Sequence, residues 1–169
     1  MPPFYELAVA RFVPTGPSSS HPSSPSSQDS SHWAIAVTFS SASGSLLYQI
    51  TGTHADYALA APASVTLSPP PSPKSSPSPK ASSHPTKQDS QGIPPGYRYT
   101  AKAPIGYVDA DILPALHTTL TTISIIRDDP TWGSRDWVLD GVNELKKVEG
   151  FFVEKHVSAQ WIKDKLGEK

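Results

Sequence analysis

The chain has 169 residues, a formal net charge of −1 and no cysteine, which excludes disulfides, thiolate catalysis and cysteine-ligated zinc. The near-neutral charge argues against nucleic-acid or anionic-membrane binding, and no stretch approaches the roughly 20 apolar residues of a membrane-spanning helix. Hydrophobic residues make up only 37% and prolines number 19, because two Pro/Ser-rich stretches, 14–31 and 64–92, skew the composition. Outside them about 120 residues remain, enough for one core, so 1–169 reads as a single domain with two disordered insertions. Met1 to Phe12 has neither a basic start nor a long apolar run, so no signal peptide is expected. The reading is an intracellular protein, cytoplasmic or nuclear.

Phe4 to Val13 is the first predicted strand, with Tyr5, Leu7 and Val9 alternating against Glu6, Ala8 and Ala10. Residues 14–31 follow as a loop too poor in apolar groups to offset the entropy of ordering. Ser31 to Phe39 is the clearest strand. Trp33, Ile35, Val37 and Phe39 share one face, and His32, Ala34, Ala36 and Thr38 the other. Two apolar faces suit a strand covered on both sides, and the small residues predict a helix packed closely on theirs. A turn through Gly44 leads to a second strand, Leu46 to Thr53, making a hairpin. A symmetric turn puts His32 near Thr53, with Gln49, Thr51 and Thr53 on its face and His54 just beyond.

The 64–92 stretch reads first as a surface-loop insertion, which closure entropy tolerates. Ser68-Pro69, Ser72-Pro73, Ser76-Pro77 and Ser78-Pro79 offer sites to a proline-directed kinase, and Pro70-Pro71-Ser72-Pro73 is a minimal ligand for a proline-motif binding partner. Tyr97 to Lys102 and Ile105 to Val108 are predicted as two extended pieces. Asp109 or Asp111 then caps a short helix with Pro114 in its first turn. The β-branched run Thr121 to Ile126 predicts another strand. From Ser134, residues Val138, Gly141, Val142, Leu145 and Val148 recur at helical spacing, with Gly150 as the stop. Phe151 to Val153 predicts a short strand, and Ser158 a cap for a last helix bearing Trp161, Ile162 and Leu166.

Taken alone, Ser134 reads as that helix's N-cap and His32 as a strand-end histidine, hydrogen-bonded or solvated. Together they carry a pattern: a strand beginning His32-Trp33, then a helix opening Gly133-Ser134-Arg135-Asp136-Trp137-Val138. This resembles circularly permuted papain-like domains of the lecithin–retinol acyltransferase type. Their order is a histidine strand, a strand with a polar orienting residue, and a helix opening Asn-Cys-x-x-aromatic. The pattern is similar also to a group of fungal proteins whose helix opens Asn-Cys-Gln-Asp-Trp-Val. Asp136, Trp137, Val138, Leu145 and Gly150 match that group, over about 31–54 and 104–153. The resemblance implies an α+β fold, an antiparallel sheet packed against one main helix.

The departures fall at the chemistry. The family's asparagine is Gly133 and its cysteine is Ser134. A helix N-terminus and a histidine lower a thiol pKa from about 8.5 to about 3.5–7.5, whereas a hydroxyl starts several units higher and needs concerted proton removal and an oxyanion hole. The reading is therefore a papain-like pseudoenzyme that binds or scaffolds an unknown ligand or protein. One alternative is an active serine acyl hydrolase or acyltransferase, with Ser134 as nucleophile, His32 as base, and Thr51, Thr53 or His54 orienting the imidazole. Another is an interaction adaptor acting through the Pro/Ser-rich segments. The six histidines lack metal-ligand spacing such as H-x-x-x-H, and no metal or cofactor is expected.

Overall fold

The computed structural model describes residues 3–15, 31–40, 44–67 and 92–168. The sequence expectations for 16–30 and 68–91, including the kinase and proline-motif sites, lie outside the described residues. The architecture is α+β. Strands β1 (Phe4–Pro14), β2 (His32–Ser40) and β3 (Gly44–Tyr48) come first. The short β4 (Ile50–Thr51) and β5 (Ala58–Leu59) pair only with each other. Next are β6 (Ala63–Val65) and the long β7 (Tyr97–Asp109). Helices α1 (Leu113–Thr121) and α2 (Ser134–Leu145), strand β8 (Phe151–Val153) and helix α3 (Ala159–Leu166) complete the chain. The main sheet has six strands in the order β6-β3-β2-β1-β7-β8, and each neighbouring pair is antiparallel.

Alternation divides the two central strands between two cores. Leu7, Val9, Trp33, Ile35 and Val37 point into the larger one, together with Trp137, Val138, Val142 and Leu145 of α2 and Leu116 and Leu120 of α1. The helix therefore packs on the face of large side chains, not on the small-residue face where the sequence suggested one. Gly141 makes the approach possible: a Cβ there would lie 3.0 Å from Ile35 Cδ1 and 3.1 Å from Leu120 Cδ2. Ala10, Ala34 and Ala36 instead meet Phe12, Leu47 and Val65, with Ile93, Tyr97 and Tyr99 against them. Bulky residues from neighbouring strands and loops fill the room the alanines leave.

Several local readings need correction. The predicted strand 46–53 breaks after Tyr48. Gly52 sits at φ +104°, and the Asp56 carboxylate accepts from both the N–H and the hydroxyl of Thr53 at 2.6 Å. That side-chain turn reverses the chain, so that β4 pairs with β5. Residues 63–65 pair with β3, so Ser64 and Val65, at the start of the second Pro/Ser-rich stretch, belong to the sheet. Thr121 to Ile126 forms no strand. Thr121 ends α1, and the Thr121 and Thr122 hydroxyls donate to the carbonyls of Thr118 and Thr119 at 2.6 and 2.7 Å. Local bonding to helix carbonyls outweighs β propensity here. The two extended pieces around Pro104 are one strand, because a register shift between Leu7 and Ala8 of β1 falls where the proline lacks a donor. Gly150 does not stop α2, which ends at Leu145. Gly150 instead takes φ +93° on entry to β8, where a Cβ would lie 2.7 Å from Ile112 Cγ1.

Two caps read from the sequence are present, at Asp109 and Ser158. Asp109 accepts from Asp111 N–H at 2.9 Å at the start of a single 3₁₀ turn, 110–112, ahead of α1. Ser158 accepts from Trp161 N–H at 3.2 Å, and Gly167 closes α3 in the left-handed conformation. Among the described residues no helix is long and apolar enough to cross a membrane.

Candidate functional site

A cleft of about 600 Å³ opens where β2 begins, β4 ends and α2 begins; His32, Thr51, Tyr57, Tyr97, Trp132 and Ser134 are among its lining residues. The loop before α2 is shaped by its aspartates. Asp128 adopts φ +61° and its N–H donates to the His54 carbonyl at 2.8 Å. Asp129 accepts from the N–H and hydroxyl of Thr131 at 2.8 and 2.7 Å, an Asx turn that leads the chain into the helix. Trp132 packs edge-on against Tyr57 at 5.7 Å. Gly133, not Ser134, is the N-cap. Its N–H donates to the Asp136 carboxylate at 2.9 Å, which places a negative charge in the first turn, where the helix dipole favours it. Ser134 is thus released from capping. It is the first helical residue, only 9% exposed, and its Oγ accepts the Trp33 N–H at 3.1 Å.

His32 lies on the other side of the strand start, its ring 6.2 Å from that of Phe12 and 5.7 Å from that of Tyr97. Its Nε2 is 3.0 Å from Gln49 Oε1, and Gln49 Nε2 donates to the Gly92 carbonyl at 2.7 Å. That chain assigns the tautomer. The Gly92 carbonyl can only accept, so the Gln49 nitrogen faces it and Oε1 faces the imidazole. Nε2 then carries the ring proton, and Nδ1 keeps its lone pair. Burial pushes the imidazole below its ordinary value of 6.5, and the Gln49 hydrogen bond offsets part of that shift. The net effect favours the neutral imidazole. Burial also raises the Tyr57 and Tyr99 phenols.

The sign of the resulting pH dependence follows directly. In the window just below 6.5 the unfolded chain binds a proton at His32 that the folded chain does not, so stability falls as pH is lowered through it. Urea midpoints between about pH 7.5 and 5.5 are expected to drop in the wild type and to flatten in His32→Gln. An equal drop in both would remove His32 as the cause.

The residues read from the sequence as orienting the imidazole do not do so. Thr53 is exposed and bonded to Asp56. His54 is exposed and contributes its backbone carbonyl to the Asp128 loop. Thr51 lines the cleft but makes no hydrogen bond to His32. Gln49 instead meets the ring, two residues earlier on the face the sequence had marked; the β2–β3 pairing ends at Ile35 and Tyr48, so 51–54 lie beyond the ladder. Ser134 and His32 do line one cleft, yet no hydrogen bond joins them. Glu168, buried beneath the start of β2, escaped sequence reading because an acidic residue after a charged helix looks solvated. Among the described residues no three histidine, aspartate or glutamate side chains gather as a metal site. Comparisons of the chain with protein-family models, with curated proteins and with solved structures find no match, so the grouping of His32, Gln49 and Ser134 is read from this chain alone.

Proposed function

We propose that the chain is a permuted papain-like domain in which Ser134 stands at the nucleophile's position, and that its cleft binds a ligand or protein without turning it over. The observation that carries this reading is the engagement of the two groups. The Ser134 hydroxyl accepts the Trp33 N–H while the His32 ring proton goes to Gln49, so neither is spent on activating the other. A hydroxyl lacks the low pKa that lets a thiolate form at a helix N-terminus, and without a paired base it remains a weak nucleophile.

One observation favours the active alternative. The Gln49 arrangement leaves His32 neutral with Nδ1 able to accept a proton, as a general base must. In that reading Ser134 Oγ attacks an acyl carbonyl as His32 takes its proton. The leaving group departs with the proton returned from His32, and water repeats the sequence on the acyl-serine. The adaptor reading rests on segments outside the described residues.

Intact-mass analysis after incubation with a fluorophosphonate tests the two. No adduct on the wild type is expected. The Ser134→Cys variant is expected to alkylate with iodoacetamide at a pH midpoint below the ordinary thiol value of about 8.5, and to lose that advantage when His32→Ala is added. A fluorophosphonate adduct at Ser134 that disappears in His32→Ala would establish the serine enzyme instead.

A further inference from the structure

Glu168 is the most heavily partnered carboxylate among the described residues, and its side chain is only 4% exposed. It follows Gly167, which closes α3. Its Oε1 accepts from Ser31 Oγ at 2.6 Å and from Trp33 Nε1 at 2.8 Å. Arg11 Nε of β1 lies 3.2 Å from the same oxygen. Arg135 Nη2 of α2 lies 3.0 Å from Oε2 and donates to Ser31 Oγ at 3.3 Å. The Arg135 guanidinium also stacks over the Trp33 ring at 5.3 Å, and Arg11 Nη1 donates to the Leu166 carbonyl at 3.2 Å.

The partners are not a random set. Ser31 and Trp33 flank His32 in sequence, and Arg135 follows Ser134. One carboxylate therefore grips the residues on both sides of the histidine and the residue next to the serine, from an element that carries neither. Burying a carboxylate costs several kcal/mol and is offset only when geometry and partners are good. A buried ion pair contributes little net stability, but it favours one arrangement of its elements strongly, since any other leaves charges unpaired.

We infer that Glu168 is the positioning residue of the cleft, holding the start of β2 and the start of α2 in the one relative placement that turns His32 and Ser134 toward the same space. The inference rests on the reading of those two residues as the site, and it adds the element that assembles them.

The test follows the His32 ring N–H by proton NMR on the unliganded protein. In the wild type this proton, bonded to Gln49, is expected to exchange slowly. In Glu168→Gln its exchange is expected to rise at least about tenfold by local opening, while amides in the centre of β1 and β2 stay protected. Val108→Ala, buried in the larger core at the far end of β7, serves as a control that lowers stability without touching the carboxylate or the Gln49 chain, and it should leave the ring proton's exchange tied to that of the core amides. Should Glu168→Gln fail to fold, Trp33→Phe removes one donor while keeping a ring in the core, and the same rise is expected. Unchanged ring-proton exchange in a folded Glu168→Gln, or in Trp33→Phe where that variant must stand in, overturns the inference. Failure of the binding proposal leaves this readout intact, and failure of this readout leaves the binding proposal standing, because no ligand is present.

Discussion

Trp33→Ala is expected to remove most of the protein's stability. The indole is fully buried in the larger core, and truncating a buried tryptophan costs about 3–5 kcal/mol. The same change withdraws a donor from the buried Glu168 and the surface under the Arg135 guanidinium. A hydrogen bond to a charged group contributes about 1.5–3 kcal/mol. Set against a typical total of about 5–15 kcal/mol, the sum leaves little folded population on warming. Urea unfolding followed by far-ultraviolet circular dichroism should show a large fall in midpoint. Trp33→Phe keeps the ring in the core and loses chiefly the Nε1–H, so its cost should be near the hydrogen-bond part alone. Comparable costs for the two variants would mean that Glu168, not packing, dominates at this position. A cost under about 1 kcal/mol for Trp33→Ala would contradict the placement of Trp33 in a close-packed interior.

Gly106→Ala should be the most disruptive single methyl addition. Gly106 is an interior strand residue, opposite Leu7 on one side and Val153 on the other. Its φ is +152°, and an added Cβ would lie 2.0 Å from the Phe152 carbonyl oxygen. No rotamer relieves that contact, because both partners are backbone. Either β8 leaves the sheet or β7 re-registers. We expect a loss of about 3 kcal/mol, with hydrogen-exchange protection disappearing first across 151–153. Gly96→Ala provides the comparison. Gly96 has φ +80° with open space around its Cβ position, so only backbone strain applies, at about 1–3 kcal/mol, and β8 should stay protected. Equal loss of β8 protection in both would show that the Gly106 effect is not the local clash.

Each of these effects depends on contacts between residues far apart in sequence. Ser31, His32, Trp33, Ser134, Arg135 and Glu168 span nearly the whole chain, yet the last of these touches three of the others directly. Association at such separations is legible only once the strands are ordered in the sheet. It also explains why the site sits at the strand and helix starts: those ends are where the backbone has amides to offer, as Trp33 offers its N–H to Ser134.

The sequence by itself determined the elements whose signals are local. Alternation marked β1 and β2, helical spacing marked α2, and Asp109 and Ser158 marked helix starts through short-range caps. The proposal that His32 and Ser134 belong to one site also started from local patterns, a His-Trp strand start and a helix opening. Tertiary structure decided the rest. It chose which face of β2 the helix covers, because Gly141 fits against Ile35 and Leu120 while the alanine face meets aromatic rings. It replaced a β-branched strand with a helix end, because threonine hydroxyls found helix carbonyls. It selected Gln49 over Thr51, Thr53 and His54, because the β2–β3 ladder ends at Ile35 and Tyr48, leaving Gln49 buried beside the imidazole while 51–54 lie exposed. And it gave Glu168 its place, because a buried charge is tolerable only where several donors converge, and that convergence is a property of the folded chain, not of any stretch within it.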